Sequence, residues 1–594
     1  MNRAGVFIGV DLTGNLPRLR DAANGAERMG EWAGAQNFKT ISVITDKDGP
    51  VVVQRIKDAI EGIVDSGADQ LVVYFAGHGV NIGYREYWLL THAPRDKQAA
   101  VNVAGSVTLA QYCKIPHIVF ISDACRTAAE GIQAQSVTGS EIFLDDYDGG
   151  PEYPVDQFFA CTLGRPATEI KDPNASSAEY FALYTESLRE ALLGVRREIL
   201  DVPREDPSIA YVRMRRLRDF LAKEVPERIR ARGLQYRVNQ LPSARIVSDE
   251  PAWISRMNAD ETALIGPSGR TLTAGTEAIL QPVDKFKPLT PADVSSKLVR
   301  SALAGDAQAL VRDLDEASAS GVSGADELVQ SARLSALPFG PDHHETGCGF
   351  KVRGARIVEV VSPNVTAGFT NARGDDVRVK ATSASSGASV LLVFESGRGV
   401  LLPVLPEFLG ALTFDEEELV DVSYEPSANT WRWSMYENRA EELRSLRAIV
   451  STSIGRGLFQ LEGEDSLAIA RRMQYSKGID PTLSIYAAYA YHDLQRRDLI
   501  SEMSGYLSAD LGRSLFDVAM LSRELSGRSP SVVSTVFSPI PLLSQGWALL
   551  PAMRVALAGD LSRLQQCIVP SVWTLVDEDG VAILREALQT GAIK

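Results

Sequence analysis

The fold is decided by the stretch LVVYFAGHG at residues 71–79, an apolar run that ends in Gly-His-Gly. A short apolar run closed by glycines predicts a buried strand followed by a turn. A second stretch of the same kind, HIVFISDACR at residues 117–126, ends in Asp-Ala-Cys-Arg. Each stretch therefore delivers polar side chains just beyond the carboxyl end of a buried strand, where open α/β sheets place their functional sites.

Similar runs surround these two stretches from residue 1 to about 250. The other candidate strands are Val6–Val10, Thr40–Ile44 and Gln157–Cys161. Apolar residues at positions 53, 56, 60 and 63 recur at helical spacing, and residues 211–232 are expected to form a last, basic helix. Strands that alternate with helices in this way predict an α/β domain of three layers with a mostly parallel sheet over residues 1–250.

The rest of the chain divides by composition into three parts. Residues 251–344 are rich in Ala, Asp and Ser, and we interpret them as a helical connector. Short runs such as Ser389–Phe394 and Val400–Val404, broken by Gly and Asn, predict a small β domain at residues 345–435. Residues 436–594 are predicted to be an α-helical regulatory module. Close-packed helix pairs of the tetratricopeptide type could form there, although the sequence shows no clear 34-residue repeat.

Length, charge and cysteine content narrow the class of protein. A chain of 594 residues is too long for one hydrophobic core. The formal net charge of −15 argues against a nucleic-acid binder, because phosphate contacts need a basic face. Five scattered cysteines do not resemble a disulfide framework, and no apolar run reaches the roughly 18 residues of a membrane span. With no signal-peptide pattern either, we expect a cytoplasmic protein that does not enter a membrane.

His78 and Cys125 together have the chemistry of a nucleophilic catalyst. A thiol needs a nearby imidazole that removes its proton and later protonates the leaving amine. The two loops supply one of each, just beyond strands that we expect to be neighbours. The flanking glycines let a substrate backbone come close, and the Gly79 N–H is left to face a developing oxyanion.

The ordered combination of Gly-His-Gly and Asp-Ala-Cys-Arg resembles the caspase, metacaspase and bacterial caspase-like family. The histidine lies 47 residues before the cysteine, close to the caspase spacing. Leu19–Ala26 is similar to the family's first-helix motif and Tyr87–Leu90 to the strand after the histidine loop. The resemblance implies a caspase-like fold over residues 1–250. It also implies a cysteine endopeptidase whose oxyanion hole includes Gly79 and Cys125.

The resemblance also gives Asp123 a role in choosing which peptide bond is cleaved. Metacaspase-like members carry a specificity-pocket acid two residues before the cysteine, and a carboxylate there would pair with Arg or Lys and reject an acidic side chain. We therefore predict cleavage after Arg in preference to Lys. The family's second pocket acid is absent, because Gly25 stands at its position. Asp21 is the candidate that would compensate, and a capping role for Asp123 is the alternative.

The predicted partners are protein substrates and an activator. Related bacterial architectures act in phage defence or cell-death signalling, and their attached domains sense a signalling nucleotide or bind a protein. By analogy we expect activation through the modules beyond residue 345. The chemistry implies no cofactor. The acidic segment 130–157 contains neither Arg nor Lys, so self-cleavage there is disfavoured. Ca²⁺ binding by this oxygen-rich segment is the alternative, although no EF-hand-like spacing supports it.

Two further alternatives stay open at the sequence level. His343, His344 and Cys348 could bind a metal, but three ligands without a second cluster are weak evidence, and we predict a turn instead. The whole chain could also be a catalytically vestigial scaffold or a ligand-binding signalling protein. Selective labelling of Cys125 that depends on His78 would distinguish an enzyme from that scaffold.

Overall fold

The protein is described by a computed structural model. The described residues are 1–19, 21–82, 85–124, 127–128, 137–161, 184–231, 242–259, 312, 330, 348–380, 387–454, 463–533 and 535–593. Within them, no helix is long and apolar enough to cross a membrane.

The N-terminal part, residues 1–259, alternates strands and helices. Its strands are β1 (Arg3–Gly9), β2 (Thr40–Thr45), β3 (Gln70–Gly77), β4 (Gly79–Ile82), β5 (Arg85–Leu89), β6 (Ala100–Asn102), β7 (His117–Ala124), β8 (Thr127–Ala128), β9 (Val155–Phe159), β10 (Leu200–Asp201), β11 (Ile209–Arg213), β12 (Ser243–Arg245) and β13 (Trp253–Asn258). Its helices are α1 (Ala22–Ala35), α2 (Val53–Asp65), α3 (Val103–Ala110) and α4 (Met214–Ala231). Residues 184–192 are also helical.

A six-stranded sheet in the order β12-β9-β7-β3-β1-β2 forms the middle layer. The five strands other than β12 run parallel. Strands β1, β3 and β7 are buried along their whole length, as expected for a parallel sheet covered on both faces. Helix α1, the 184–192 helix and α4 pack on one face, and α2 and α3 pack on the other. The predicted three-layer α/β architecture is therefore present.

The predicted helix at 211–232 is wrong at its first three residues. Strand β11 occupies Ile209–Arg213 and pairs antiparallel with β10 and β13, so that α4 begins only at Met214. Residues 209–213 alternate between full and partial burial, the period of a strand with one covered face. Tertiary pairing therefore overrides the helical tendency of the basic run that follows.

The C-terminal part, residues 348–593, begins with two antiparallel-rich sheets. Its strands are β14 (Gly349–Arg353), β15 (Ile357–Val361), β16 (Thr366–Phe369), β17 (Asp376–Lys380), β18 (Ser389–Phe394), β19 (Gly399–Pro403), β20 (Phe408–Asp415) and β21 (Glu418–Pro426). Its helices are α5 (Trp433–Glu437), α6 (Ala440–Ile454), α7 (Gly463–Ser476), α8 (Thr482–Asp493), α9 (Arg497–Leu511), α10 (Phe516–Leu521), α11 (Pro530–Val533) and α12 (Glu578–Gln589). Strands and helices share one hydrophobic core that runs from Cys348 to Ile593.

Candidate active site

The sheet places residue 78 beside the end of β7. Strands β3 and β7 pair in parallel with Ala76 opposite Asp123 and Gly77 opposite Ala124. His78 is thus the first residue beyond β3, and position 125 directly follows the neighbouring strand. Cys125 itself lies outside the described residues, so its predicted role stays a prediction.

The His78 ring is oriented by a backbone group that sequence reasoning missed. Its Nε2 lies 2.7 Å from the carbonyl oxygen of Pro17. A carbonyl can only accept, so Nε2 carries the proton and Nδ1 is left as the acceptor of the neutral ring. Burial lowers the pKa of His78 below its ordinary value of 6.5, and the bond to Pro17 opposes that shift. The imidazole is therefore neutral and able to accept a proton at neutral pH.

A buried aromatic and polar cluster stabilises the strands beneath His78. The Trp88 ring of β5 stacks on Phe75 of β3, with centroids 4.8 Å apart. The indole N–H of Trp88 donates to the Ser122 hydroxyl over 2.9 Å, and that hydroxyl donates to Glu86 over 2.7 Å. The carbonyl of His78 accepts from the N–H of Leu89. These contacts fix the histidine loop relative to β7.

Gly79 is the first residue of β4 and lies opposite Trp88. It is buried. Its role in the oxyanion hole remains a prediction, because the hole needs the N–H groups of both Gly79 and Cys125, and Cys125 lies outside the described residues.

Asp123 lies at the site end of β7, on the face covered by α1. It is 4% exposed. Its Oδ2 accepts hydrogen bonds from the Tyr74 hydroxyl, at 3.0 Å, and from the Thr185 hydroxyl, whereas Oδ1 has no hydrogen-bond partner among the described residues. Burial raises the pKa of Asp123 to about 7. The Thr185 and Tyr74 hydroxyls oppose this rise and the charge of Asp21 adds to it.

Asp21 and Gly25 lie at the start of α1, near the same carboxylate. Asp21 precedes the helix and is ion-paired with Arg28 at 3.2 Å, with both side chains about half exposed. Its negative charge contributes to the raised pKa of Asp123. A Cβ placed on Gly25 would lie 3.0 Å from the Tyr74 hydroxyl oxygen. Position 25 therefore faces the group that holds Asp123.

The other candidate ligands and nucleophiles lie apart from this site. His117 begins β7, at the opposite end of the sheet, and its ring bonds to Gln70 and Asp156. Cys348 is buried, whereas His343 and His344 lie outside the described residues. In the part of the chain that the structure covers, no group of three or more His, Cys, Asp or Glu is placed to hold a metal.

Comparison with known proteins gives a family match in the N-terminal part. The caspase domain family model matches residues 3–203, within the region where the resemblance was expected. Among solved structures, the Drosophila initiator caspase Dronc matches with 11% identity and a TM-score of 0.22, covering 32% of this chain. The match spans 64% of the Dronc chain, less than two thirds of its length. A comparison with curated proteins gives no match.

Proposed function

We propose that this chain, whose residues 3–203 form a caspase-like domain, is a cysteine endopeptidase that uses His78 as general base and Cys125 as nucleophile. The observation that carries the proposal is the His78 ring. It is neutral, it is anchored through Nε2 to the Pro17 carbonyl, and it lies at the sheet edge where β7 leads into Cys125.

The proposed reaction follows from that tautomer. His78 Nδ1 takes the thiol proton as the Cys125 sulfur bonds to the scissile carbonyl carbon, and the negative charge moves to the carbonyl oxygen. The N–H groups of Gly79 and Cys125 stabilise that oxyanion. The carbon–nitrogen bond then breaks as the imidazolium gives its proton to the leaving amine. Water, deprotonated by His78, releases the acyl group and restores the thiol.

Asp123 supports cleavage after Arg. A buried carboxyl group with one unpartnered oxygen suits a guanidinium, which brings several N–H donors and a charge that relieves the burial of the carboxylate. The same carboxylate would repel an acidic side chain. Proteins with exposed arginines are therefore the proposed substrates.

The decisive variants are Cys125→Ala and His78→Ala. Each should abolish hydrolysis of an Arg peptide while leaving the folding transition nearly unchanged, because both residues follow strands rather than fill the core. Retained turnover by purified Cys125→Ala would contradict the nucleophile assignment.

Regulation is proposed to act through contacts between the C-terminal part and the segment after the catalytic loop. Arg497 pairs with Glu152 at 2.9 Å, and Arg554 pairs with Asp145. Their guanidinium carbons lie 5.7 and 5.8 Å from the centre of the Tyr147 ring. Two carboxylates of the acidic segment, Asp145 and Glu152, are thus paired with arginines of the C-terminal part.

We propose that a signalling nucleotide or a protein partner activates the enzyme by binding the C-terminal part. To do so it must bind the active arrangement better than the resting one. Segment 130–157 has no Arg or Lys, so the active enzyme should remain one uncut polypeptide. A role in bacterial defence or cell-death signalling is proposed by resemblance. Obligatory cleavage within 130–157 during activation would contradict this scheme.

A further inference from the structure

The two oxygens of the Asp123 carboxyl group have unequal surroundings. Both hydroxyl donors, from Tyr74 and Thr185, bond to Oδ2, and within the part of the chain that the structure describes Oδ1 receives no hydrogen bond although it is buried. A buried acceptor without a donor is unfavourable in a folded chain, so it is a preferred position for a donor that a bound group brings. The open position of this carboxyl group is therefore Oδ1.

The two hydroxyls reach Oδ2 from different layers of the domain. Tyr74 is fully buried on β3, two residues before the position that pairs with Asp123. Thr185 belongs to the helical residues 184–192 that cover the same face of the sheet. One donor is thus fixed by strand register and the other by helix packing. Together they set the rotation of the carboxyl group.

Gly25 leaves room for the Tyr74 hydroxyl. A Cβ at position 25 would approach the hydroxyl oxygen to 3.0 Å, closer than such contacts normally are. A larger residue there would displace the hydroxyl or be displaced by it. The absence of a side chain at position 25 therefore makes room for the Tyr74 hydroxyl, which lies beside Asp123 as a neutral hydrogen-bond donor.

We propose that Tyr74 and Thr185 are positioning residues for the specificity pocket. They hold Oδ2 and direct Oδ1 toward the guanidinium of the substrate Arg, so that Arg selectivity depends on two hydroxyls as well as on one acid. The inference rests on the proposed function, since it needs a peptidase that cleaves after Arg.

The electrostatics of the pocket make this role measurable. Among the described residues, the groups that act on Asp123 are Asp21 at the start of α1, Tyr74 on β3, and Tyr184 with Thr185 on the covering helix. Burial raises the pKa of Asp123 to about 7, and the two hydroxyls lower it by bonding to the charged form. Removing either hydroxyl should therefore favour the neutral acid at neutral pH.

The test compares two peptides that differ only in Arg or citrulline before the cleaved bond, using the full chain. Because citrulline is a neutral analogue of Arg, the ratio of the two kcat/KM values cancels the titrations of His78 and Cys125. In the wild type this ratio should rise with pH through about 7, as Asp123 ionises. In Tyr74→Phe and in Thr185→Val the rise should move to higher pH. The ratio at pH 7 should then fall about tenfold.

Tyr184→Phe is the matched control. Tyr184 is fully buried near Asp123, but its hydroxyl has no hydrogen-bond partner in the described ranges, so the same chemical change should leave the ratio and its pH profile unchanged. Thr185→Val tests the inference independently if Tyr74→Phe does not fold.

The inference would be overturned if Tyr74→Phe and Thr185→Val lowered kcat/KM equally for both peptides, or if their pH profiles matched that of the wild type. The hydroxyls would then have a purely structural role. A wild type that cleaves neither peptide in any state of activation would instead contradict the proposed function itself.

Discussion

At the scale of single residues, the proposed mechanism depends on which nitrogen of His78 carries the proton. The Pro17 carbonyl assigns it to Nε2, and burial keeps the ring neutral. The glycines around His78 and the distant cysteine led, from the sequence alone, to the prediction that His78 and Cys125 are a catalytic pair. Pro17 could not be found that way, because a main-chain carbonyl has no side-chain signature. Nor could Tyr74 and Thr185, whose hydroxyls reach Asp123 only through packing.

The protonation of His78 can be measured directly by ¹⁵N NMR of the imidazoles, with the His78 signals assigned by their loss in His78→Gln. We expect the Nε2–H tautomer at neutral pH. Because the folded pKa is lowered, the ring should stay neutral as pH falls through 6.5 and become charged only below that value. A ring that is protonated at Nδ1, or that titrates above 6.5, would contradict the assignment.

Asp123→Asn should change how stability depends on pH. The folded pKa of Asp123, about 7, lies above its ordinary value of 3.8, so the folded state binds the proton more tightly than the unfolded state. Stability is therefore lost as pH rises from about 4 to about 7, by a few kcal/mol at most. Urea titrations should show a flatter pH dependence in the variant. An unchanged slope would mean that the carboxyl group is not buried as described.

At the scale of secondary-structure elements, the pairing register of β3 and β7 brings the candidate site residues to the same end of the sheet. The apolar runs of β3 and β7 predicted both strands, because a fully buried parallel strand reads as a continuous hydrophobic run. The hairpin of β20 and β21 was not predicted. Its turn holds Glu416 at a φ of 54°, where Gly or Asn is the expected signal, so nothing in the sequence marks the reversal.

Arg447 connects the C-terminal strands to the helices. On α6 it is 3% exposed, and it binds Asp480 at 2.8 Å and Glu425 of β21 at 3.2 Å. Arg447→Met would leave two buried carboxyl groups without their cation, which should cost about 3–5 kcal/mol of unfolding free energy.

Because strands and helices share one core, the C-terminal part of Arg447→Met should lose this stability in a single transition. Denaturant titration followed by circular dichroism and by tryptophan fluorescence would check this. Separate transitions for the β and α regions would indicate two independent domains, divided near residue 435 as the sequence pattern predicted.

At the scale of the whole molecule, the two parts meet through a contact that includes the buried guanidinium of Arg523. Arg523 is 7% exposed and lies over Tyr112 and Tyr147, at 4.7 and 4.4 Å. Its Nη1 donates to the carbonyl of Ala552, whereas Nε and Nη2 have no hydrogen-bond partner among the residues that the structure describes. Burying a guanidinium that is only partly hydrogen-bonded costs free energy, so we expect this contact to be weaker than a fully paired one.

Opening the contact should raise activity in the absence of an activator. We expect the double variant Arg497→Ala/Arg554→Ala to hydrolyse an Arg peptide several-fold faster than the wild type, because both anchors of the acidic segment are lost. Arg563→Ala is the control, since it removes only an exposed pair with Asp560. Unchanged or lower activity in the double variant would argue against restraint by this contact.

The central claim, a peptidase built on His78 and Cys125, is tested most directly by covalent labelling. An Arg peptide carrying a thiol-reactive ketone would be incubated with the activated chain, and the adduct would be located by mass spectrometry of the intact protein and of its peptides. We predict one adduct per chain, on Cys125, absent from His78→Ala and reduced in Asp123→Asn. Labelling spread over the other cysteines, or undiminished labelling of Cys125 in His78→Ala, would contradict the account.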